Sequence, residues 1–238
     1  MPTQKNIHFI MQSKGGAGKS MLTYLLGLKN ENNKESVFVD LDKSTRTTAK
    51  QLVFLKGKGR LYIGDLQDSN KRIDRERFFK VVETYSELKD ITDLYFDLGA
   101  PESEQIPNLF KHDGLSEDDL KEFEEAVNAT FNFNIVIAGG GYHTACLEYL
   151  DDVAPLFKNK FNVTAFLNEY SYKDNLMHKE NALELINSLG IEHKIFGDFS
   201  TDFESSKQIL TNVAKGLGME GYEGFIIKKK INKAIQVL

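Results

Sequence analysis

The sequence predicts an α/β protein with a mostly parallel central sheet and helices on both of its faces. Short runs of β-branched and aromatic residues alternate with longer segments in which apolar residues recur at helical spacing. The 238 residues carry a formal net charge of −5, and their apolar content of 41% and charged content of 27% are ordinary for globular proteins. Because no low-complexity linker divides the chain, we expect a single domain over residues 1–238.

Composition excludes several classes of function. Cys146 is the single cysteine, so an intramolecular disulfide, a Cys-x-x-Cys redox pair and a Cys₄ zinc site are all impossible. The five histidines show neither His-x-His nor His-Glu-x-x-His spacing, the patterns typical of metal sites. No apolar run is long enough to span a bilayer, and the N-terminus lacks the pattern of a secretory signal. We therefore expect a cytoplasmic protein.

The predicted strands are short and apolar, as expected of a buried parallel sheet. Apolar spacing predicts helices over residues 19–29 and 71–88, and a Ser116–Asp119 capping box predicts the start of another. In such a sheet, ligands bind beyond the carboxyl ends of the strands. The predicted strands are Ile7–Met11, Val37–Asp40, Leu61–Gly64, Leu94–Asp97, Ile135–Ala138, Val163–Leu167 and Lys194–Phe196.

A glycine-rich segment between the first strand and the first helix carries the strongest functional signal. Residues 13–20, SKGGAGKS, fit a phosphate-binding loop in which serine replaces the first glycine. The glycines let successive N–H groups point at phosphate oxygens, and the helix N-terminus adds positive charge. We expect Lys19 to reach the β- and γ-phosphates of ATP and Ser20 to ligate Mg²⁺. The predicted nucleotide contacts in this segment are Gly15, Gly16, Ala17, Gly18, Lys19, Ser20 and Met21.

Residues 14–20, KGGAGKS, resemble the deviant Walker A motif of the ParA/MinD family of ATPases, which have a P-loop NTPase fold of the SIMIBI type. In that family, the lysine that matches Lys14 crosses a nucleotide-sandwich dimer and contacts the phosphates of the partner subunit. The resemblance therefore implies a homodimer formed on ATP binding. In it, Lys14 would neutralise charge that develops on the γ-phosphate.

Two acidic strand ends extend the resemblance. Residues 37–42, VFVDLD, resemble the family's switch I, which implies that Asp42 orients or activates the attacking water and that Asp40 holds Mg²⁺ through its water shell. The chain then continues Lys-Ser-Thr where the family has Pro-Gln-Gly. Residues 94–97, LYFD, are an apolar strand ending in an acid, followed by a predicted turn, and this Walker B arrangement puts Asp97 near the metal. The predicted catalytic set is Lys14, Lys19 and Asp42, and the predicted metal set is Ser20, Asp40 and Asp97.

The second half of the chain adds a further match. Asn168 follows the strand 163–167, and in ParA/MinD relatives an asparagine at this strand end hydrogen-bonds the adenine. The resemblance therefore implies that Asn168 contacts the base. The strings GGG at 139–141 and FLNEY at 166–170 also resemble plasmid-borne members linked to conjugation and plasmid stability, the StbB/TraL-like group.

These matches imply a ParA-like ATPase that dimerises with ATP and acts in plasmid or DNA partition, or in conjugation-linked positioning. They also imply nonspecific DNA binding and a small partner protein that stimulates hydrolysis. Two alternatives stay open: a MinD-like membrane-associated positioning ATPase, and a metabolic ligase or kinase of the same P-loop branch. The candidate DNA-binding residues in the first half of the chain are Lys56, Lys58, Arg60, Lys71, Arg72, Arg75 and Arg77.

The last segment, about residues 225–238, predicts a basic amphipathic helix. Such a helix can dock its apolar stripe on the sheet, present its lysines to DNA, or lie on an anionic membrane. The stripe consists of Ile227, Ile231, Ala234 or Ile235, and Leu238, and the lysines largely off it are Lys228, Lys229, Lys230 and Lys233.

Overall fold

The computed structural model describes residues 3–238, in which seven strands form one sheet. Each strand overlaps its predicted position, but the fifth begins at Ala129 rather than Ile135. It pairs with the whole first strand, from Lys5 opposite Ala129 to Met11 opposite Ile135, and this pairing overrides the low strand propensity of its asparagines. The strands are β1 (Lys5–Met11), β2 (Ser36–Asp40), β3 (Leu61–Ile63), β4 (Asp93–Asp97), β5 (Ala129–Ile137), β6 (Asn162–Asn168) and β7 (Glu192–Phe196).

The sheet is parallel throughout residues 3–238, with the strand order β3-β2-β4-β1-β5-β6-β7. The predicted α/β class with a parallel central sheet is therefore confirmed. Every carboxyl strand end lies at one edge, and β4 sits between β2 and β1. In its register Asp97 lies opposite both Asp40 and Ile10. The two acidic strand ends and the segment after β1 are thus neighbours.

The helices lie between the strands in chain order and pack on the sheet. Helix α1 has the predicted bounds, and the predicted Ser116–Asp119 capping box is present at the start of α6. Helix α4 begins at Arg75, later than predicted, because the Asp74 side chain caps it by accepting the N–H of Arg77 at 2.7 Å. The helices are α1 (Lys19–Lys29), α2 (Thr47–Gln51), α3 (Val53–Lys56), α4 (Arg75–Ser86), α5 (Ala100–Lys111), α6 (Glu117–Ala126), α7 (His143–Val153), α8 (Leu176–Leu189), α9 (Glu204–Lys215) and α10 (Phe225–Gln236).

The segment after Asp97 differs from its prediction. The turn is only Leu98 and Gly99, and α5 starts at Ala100. Pro101 occupies the first helical turn, where a missing N–H costs nothing and the fixed φ suits a helix. Proline therefore marks a helix start here rather than a longer turn. This start brings the first turn of α5 to the same sheet edge as the glycine-rich segment.

The C-terminal helix α10 packs on α1 and α9. Ile231 is fully buried, Ile227 and Ala234 pack against the core, and the Lys194 ammonium donates to the backbone oxygen of Leu238 at 2.9 Å. The apolar stripe of α10 is therefore packed against the rest of the protein. Within residues 3–238, none of the helices combines the length and the apolar composition that a membrane crossing needs.

Candidate nucleotide-binding site

The loop between β1 and α1 turns at two glycines. Gly16 has a φ of +85° and Gly18 a φ of +113°, in the region that L side chains rarely adopt. A Cβ on Gly16 would also lie 3.1 Å from the hydroxyl of Tyr142, which covers the loop from the start of α7. Gly15 has open space around it, and Ala17 is buried. The loop is therefore a glycine-dependent turn at the N-terminus of α1, as the phosphate-binding motif requires.

Gln12, which precedes the loop, braces it from inside the protein. Its side chain is fully buried, donates to the backbone oxygen of Val136 at 2.7 Å, and accepts from the N–H of Lys14 at 3.1 Å. Its own N–H donates to the hydroxyl of Ser103 at 3.2 Å. Gln12 lies outside the motif, and a polar residue at the end of an apolar strand was the one signal that could have revealed it.

Lys19 folds back over the loop. Its ammonium donates to the backbone oxygen of Gln12 at 2.7 Å, and the side chain is nearly buried. Burial lowers the pKa of Lys19, while the negative charges of Asp97 and Asp42 oppose that shift. An ammonium held by one carbonyl oxygen above a loop of backbone N–H groups can exchange that oxygen for a phosphate oxygen.

Asp97 ends β4 beneath the loop and is buried. Its Oδ2 accepts a hydrogen bond from the hydroxyl of Thr48, and the Ser20 hydroxyl lies 3.4 Å from the same oxygen. Its Oδ1 has no hydrogen-bond partner within residues 3–238. Burial raises the pKa of Asp97 to about 7, against the stabilising hydrogen bond from Thr48 and the charge of Lys19. An orphaned carboxylate oxygen beside a serine hydroxyl is a donor set that suits a hard cation.

The predicted Mg²⁺ site therefore fits the residues present, with Ser20 and Asp97 as its protein oxygens. No group of three or more His, Cys, Asp or Glu side chains that could hold a metal lies in the described part of the chain. Mg²⁺ is commonly bound by one or two protein oxygens plus substrate phosphates and water, so a small set is sufficient.

The structure gives Asp40 bonds within the protein itself. Its two carboxylate oxygens accept the N–H groups of Asp42 at 2.9 Å and Ala49 at 2.7 Å. The side chain is fully buried, and the guanidinium of Arg46 lies 4.0 Å away. Asp40 thus fixes the loop after β2 to the start of α2, and its contact with Mg²⁺ through water stays a prediction.

Asp42 is half-buried and held by the two residues that follow Lys43. Its Oδ1 accepts from the backbone and hydroxyl of Ser44 at 2.9 Å and 2.6 Å, and its Oδ2 accepts from the hydroxyl of Thr45 at 2.6 Å. Burial disfavours ionisation of Asp42, but these hydrogen bonds outweigh it and lower the pKa of the carboxyl. The Lys-Ser-Thr sequence that replaces Pro-Gln-Gly therefore supplies the donors that keep Asp42 charged.

Lys14 differs from Lys19 in its exposure and in its hydrogen bonds. Its side chain is exposed, and within residues 3–238 its ammonium makes no hydrogen bond or ion pair. Only its backbone N–H is held, by Gln12. A free ammonium at the outer side of a phosphate-binding loop is available to a molecule that faces this edge.

Asn168 lies at the other side of the loop, where β6 ends. Its amide donates to the backbone oxygen of Ala17 at 3.1 Å, and a Cβ on Gly18 would lie 2.7 Å from its Nδ2. A Cβ on Gly197, which follows β7, would lie 3.1 Å from its Oδ1. Asn168 therefore borders the loop at the first turn of α1, where Met21 is partly buried. Their contacts with a nucleotide stay predictions.

One of the candidate DNA-binding residues has a different role. Arg60 is buried, and its guanidinium donates to the backbone oxygens of Ser36, Glu31 and Asn30 at 2.7–2.8 Å. The prediction that it contacts DNA is wrong, because these bonds tie β3 to the start of β2. Lys58 forms an ion pair with Glu31 at 3.0 Å. The residues of this set that stay exposed are Lys56, Lys58, Lys71, Arg72 and Arg75.

A parallel sheet with a phosphate-binding loop after β1 and acids at the ends of β2 and β4 defines a P-loop NTPase fold. No protein-family model and no curated protein sequence matches the chain. Solved structures do match it. A chain of the MinC:MinD cell division protein complex of Aquifex aeolicus aligns with a TM-score of 0.54 at 14% identity, over 97% of this chain and 94% of that chain.

Two further structures agree. The ParA family ATPase of Chlorobium tepidum aligns with a TM-score of 0.54 at 13% identity, over 98% of this chain and 100% of that chain. A nucleotide-binding protein of Archaeoglobus fulgidus, solved in complex with ADP, aligns with a TM-score of 0.51 at 16% identity, over 92% and 89%. The chain therefore has the fold of the MinD and ParA proteins, as the resemblance implied.

Proposed function

We propose that this protein is an ATPase of the ParA/MinD type, which binds Mg²⁺–ATP and dimerises around it. The observation that carries the proposal is the approach of Ser20 to Asp97, whose Oδ1 has no partner within residues 3–238. A P-loop hydroxyl beside a buried strand-end acid is the arrangement that holds Mg²⁺ against nucleotide phosphates. The ADP complex of the Archaeoglobus neighbour adds support for a nucleotide ligand.

Binding follows from the loop. The backbone N–H groups of residues 15–20 and the N-terminus of α1 attract the phosphates, and Lys19 transfers its ammonium from the Gln12 oxygen to the β- and γ-phosphates. Ser20 and Asp97 would hold Mg²⁺, which would supply neutralisation of the negative charge on the phosphate oxygens. Asn168 and the loop after β7 contact the base.

Hydrolysis places a water against the γ-phosphorus. The water oxygen forms a bond to that phosphorus, the bond to the β–γ bridging oxygen breaks, and ADP leaves with inorganic phosphate as the second product. Asp42, ionised by the hydrogen bonds of Ser44 and Thr45, accepts a hydrogen bond from the water and orients it. Lys14 of each subunit reaches the phosphates of the other, so hydrolysis depends on the dimer.

The proposed cellular role is the positioning or partition of DNA, including plasmid DNA, with a small partner protein that stimulates hydrolysis. Exposed basic residues on α10 and before α4 support DNA as the bound surface. A specific observation favours a second candidate, a MinD-like role at a membrane. Phe225 and Ile226 at the start of α10 are 79% and 69% exposed beside Lys228 and Lys229.

The test is Mg²⁺-dependent release of phosphate from ATP by the purified chain. We expect Asp97→Asn to reduce the rate about 100-fold or more, because it removes the charge that faces the metal. Asp93→Asn is the matched control, since Asp93 lies at the opposite end of the same strand. Equal rates for the two variants, or a wild-type rate no higher than buffer, would refute the proposal.

A further inference from the structure

The strongest unexplained feature of the site is the carboxyl group of Glu102, in the first turn of α5. The side chain is 1% exposed, and neither oxygen has a partner within residues 3–238 at good hydrogen-bond geometry, although the backbone N–H groups of Glu102 itself and of Lys43 lie near enough to lower its pKa. A buried carboxyl without partners costs free energy, so it needs an explanation beyond folding. Neither the phosphate-binding motif nor the acidic strand ends include it.

The carboxyl groups of Glu102 and Asp42 both lie beside Gly99. A Cβ on Gly99 would lie 2.1 Å from Oε2 of Glu102 and 3.0 Å from both Cγ and Oδ1 of Asp42. A Cβ at this position would therefore force the end of the Glu102 or Asp42 side chain to shift. The φ of Gly99 is −60°, which any residue adopts, so it is space rather than backbone conformation that glycine supplies here.

The turn that carries Glu102 is fixed to its surroundings. The neighbouring Ser103 accepts the N–H of Gln12 through its hydroxyl at 3.2 Å, and its backbone oxygen accepts the hydroxyl of Tyr149 at 2.9 Å. Gln105 accepts the N–H of Ile73 at 2.9 Å one turn later. Glu102 is therefore presented to Asp42 by a rigid helix end that also contacts the start of the phosphate-binding loop.

We propose that Glu102 is a positioning residue for Asp42, to which it pairs across Gly99 as a carboxylic acid beside a carboxylate. This inference rests on the proposed function in one respect, that Asp42 orients the attacking water. The proton on Glu102 lets two carboxyl groups share a buried space, and it holds Asp42 in one orientation. If Glu102 lost that proton, two like charges would face each other and Asp42 would be displaced.

The electrostatics of the pair agree with this division of roles. Burial raises the pKa of Glu102 and the charge of Asp42 adds to that shift, while the backbone N–H groups of Glu102 itself and of Lys43 oppose it. A buried acid whose pKa is raised beside a second carboxyl group is the member of the pair that holds the proton. The charges that act on Glu102 are those of Asp42, Asp65 and Lys19. Lys43, whose ammonium pairs with Asp65, and Lys71 line the same pocket.

The first experiment does not depend on ATP hydrolysis. The carboxyl resonance of Glu102 is followed by pH titration in protein with ¹³C-labelled glutamate and is assigned by its loss in Glu102→Gln. We expect a midpoint above the ordinary glutamate value of about 4.3, and a fall of about one unit in Asp42→Asn. An ordinary midpoint, or one that Asp42→Asn leaves unchanged, would overturn the pair whatever the protein hydrolyses.

The second experiment measures ATP hydrolysis against pH. We expect the wild-type kcat to fall as pH rises through the midpoint that the titration gives for Glu102. Glu102→Gln should lose that decline at a cost of no more than about threefold in rate, and Glu102→Ala should lose about tenfold or more. Glu104→Gln, on the exposed side of the same helix, is the control that should match wild type. Equal losses in Glu102→Gln and Glu102→Ala, or a decline at the Glu102 midpoint that Glu102→Gln leaves unchanged, would contradict the positioning role. A wild type without hydrolysis would refute the ATPase proposal alone, since the titration still decides the pair.

Discussion

The hydroxyl of Thr48 donates a hydrogen bond to Oδ2 of Asp97, the oxygen that Ser20 also approaches. Thr48 lies in the first turn of α2, just after the loop that carries Asp42, so this bond joins the acid at the end of β4 to the segment that follows β2. Movement of that segment is thereby coupled to the predicted metal ligand. Oδ1 of Asp97 has no hydrogen-bond partner within residues 3–238.

We expect Thr48→Val to weaken Mg²⁺–ATP binding by about tenfold and to lower the free energy of unfolding by about 1–3 kcal/mol, because it leaves a buried carboxylate oxygen with one donor fewer. Isothermal titration calorimetry with Mg²⁺–ATP and urea unfolding measure the two effects. Thr48→Ser keeps the hydroxyl and should retain the wild-type affinity. Equal affinity in the valine variant would show that the bond has no part in binding.

The two lysines of the loop should separate binding from dimerisation. Lys19→Ala removes a buried ammonium from the phosphate site, and we expect ATP affinity to fall about tenfold or more, equivalent to at least about 1.4 kcal/mol. Lys14→Ala removes an exposed side chain, so affinity should stay within about threefold while dimerisation and hydrolysis are abolished. Sedimentation with ATP and Mg²⁺, in an Asp42→Ala background that blocks turnover, measures the dimer. A monomer at saturating ATP in that background would contradict the sandwich dimer, and wild-type hydrolysis by Lys14→Ala would contradict its trans role.

Much of the fold was predictable because its signals are local. Helix α1 and the Ser116 capping box follow from residues adjacent in sequence, and the loop motif brings its own strand and helix. The missed features are non-local. Gln12 matters through Val136, and Glu102 matters only because α5 begins directly after Gly99 and aims it at Asp42. A sequence pattern cannot indicate which buried polar groups meet across four separate segments.

His8 in β1 should make stability depend on pH. Burial lowers its pKa from 6.5 to about 4, and its ring stacks on Tyr95 with centroids 4.5 Å apart. As pH falls below 6.5, His8 binds a proton in the unfolded chain but stays neutral in the folded protein. The free energy of unfolding therefore falls until about pH 4, where His8 is protonated in both states.

We expect this contribution to reach about 3 kcal/mol and to be absent in His8→Phe, which keeps a ring against Tyr95. Asp97 affects the free energy of unfolding in the opposite direction, because its raised pKa lets the folded state bind a proton at higher pH than the unfolded chain. Asp97 is present in both the wild type and His8→Phe, so the difference between their pH curves does not include its effect. Urea unfolding between pH 7 and about pH 4 measures the difference, and the exposed His112→Gln is the control. Parallel pH curves for wild type and His8→Phe would contradict the prediction.

The surface that binds DNA should lie on α10. Lys228, Lys229 and Lys233 are exposed, whereas the Lys230 ammonium donates to the Ser206 hydroxyl at 2.6 Å and lies over the ring of Phe203. A protein of net charge −5 needs such a local cluster to bind a polyanion, and dimerisation doubles it. We therefore expect sequence-independent DNA binding that requires ATP and weakens steeply as salt rises, since each neutralised phosphate releases counterions.

Replacement of Lys228, Lys229 and Lys233 by glutamine should reduce the slope of log affinity against log salt by about 0.9 for each DNA phosphate that is no longer neutralised. Arg72→Gln with Arg75→Gln tests the other exposed cluster, and Lys34→Gln, before β2 at the opposite edge of the sheet, is the control. Fluorescence anisotropy of a labelled duplex across a salt series measures all four proteins. The membrane role would be supported instead if the wild type binds no duplex with ATP at low salt but floats with anionic liposomes. In that case the double variant Phe225→Ser with Ile226→Ser should no longer float, because those two apolar side chains are exposed beside the same lysines.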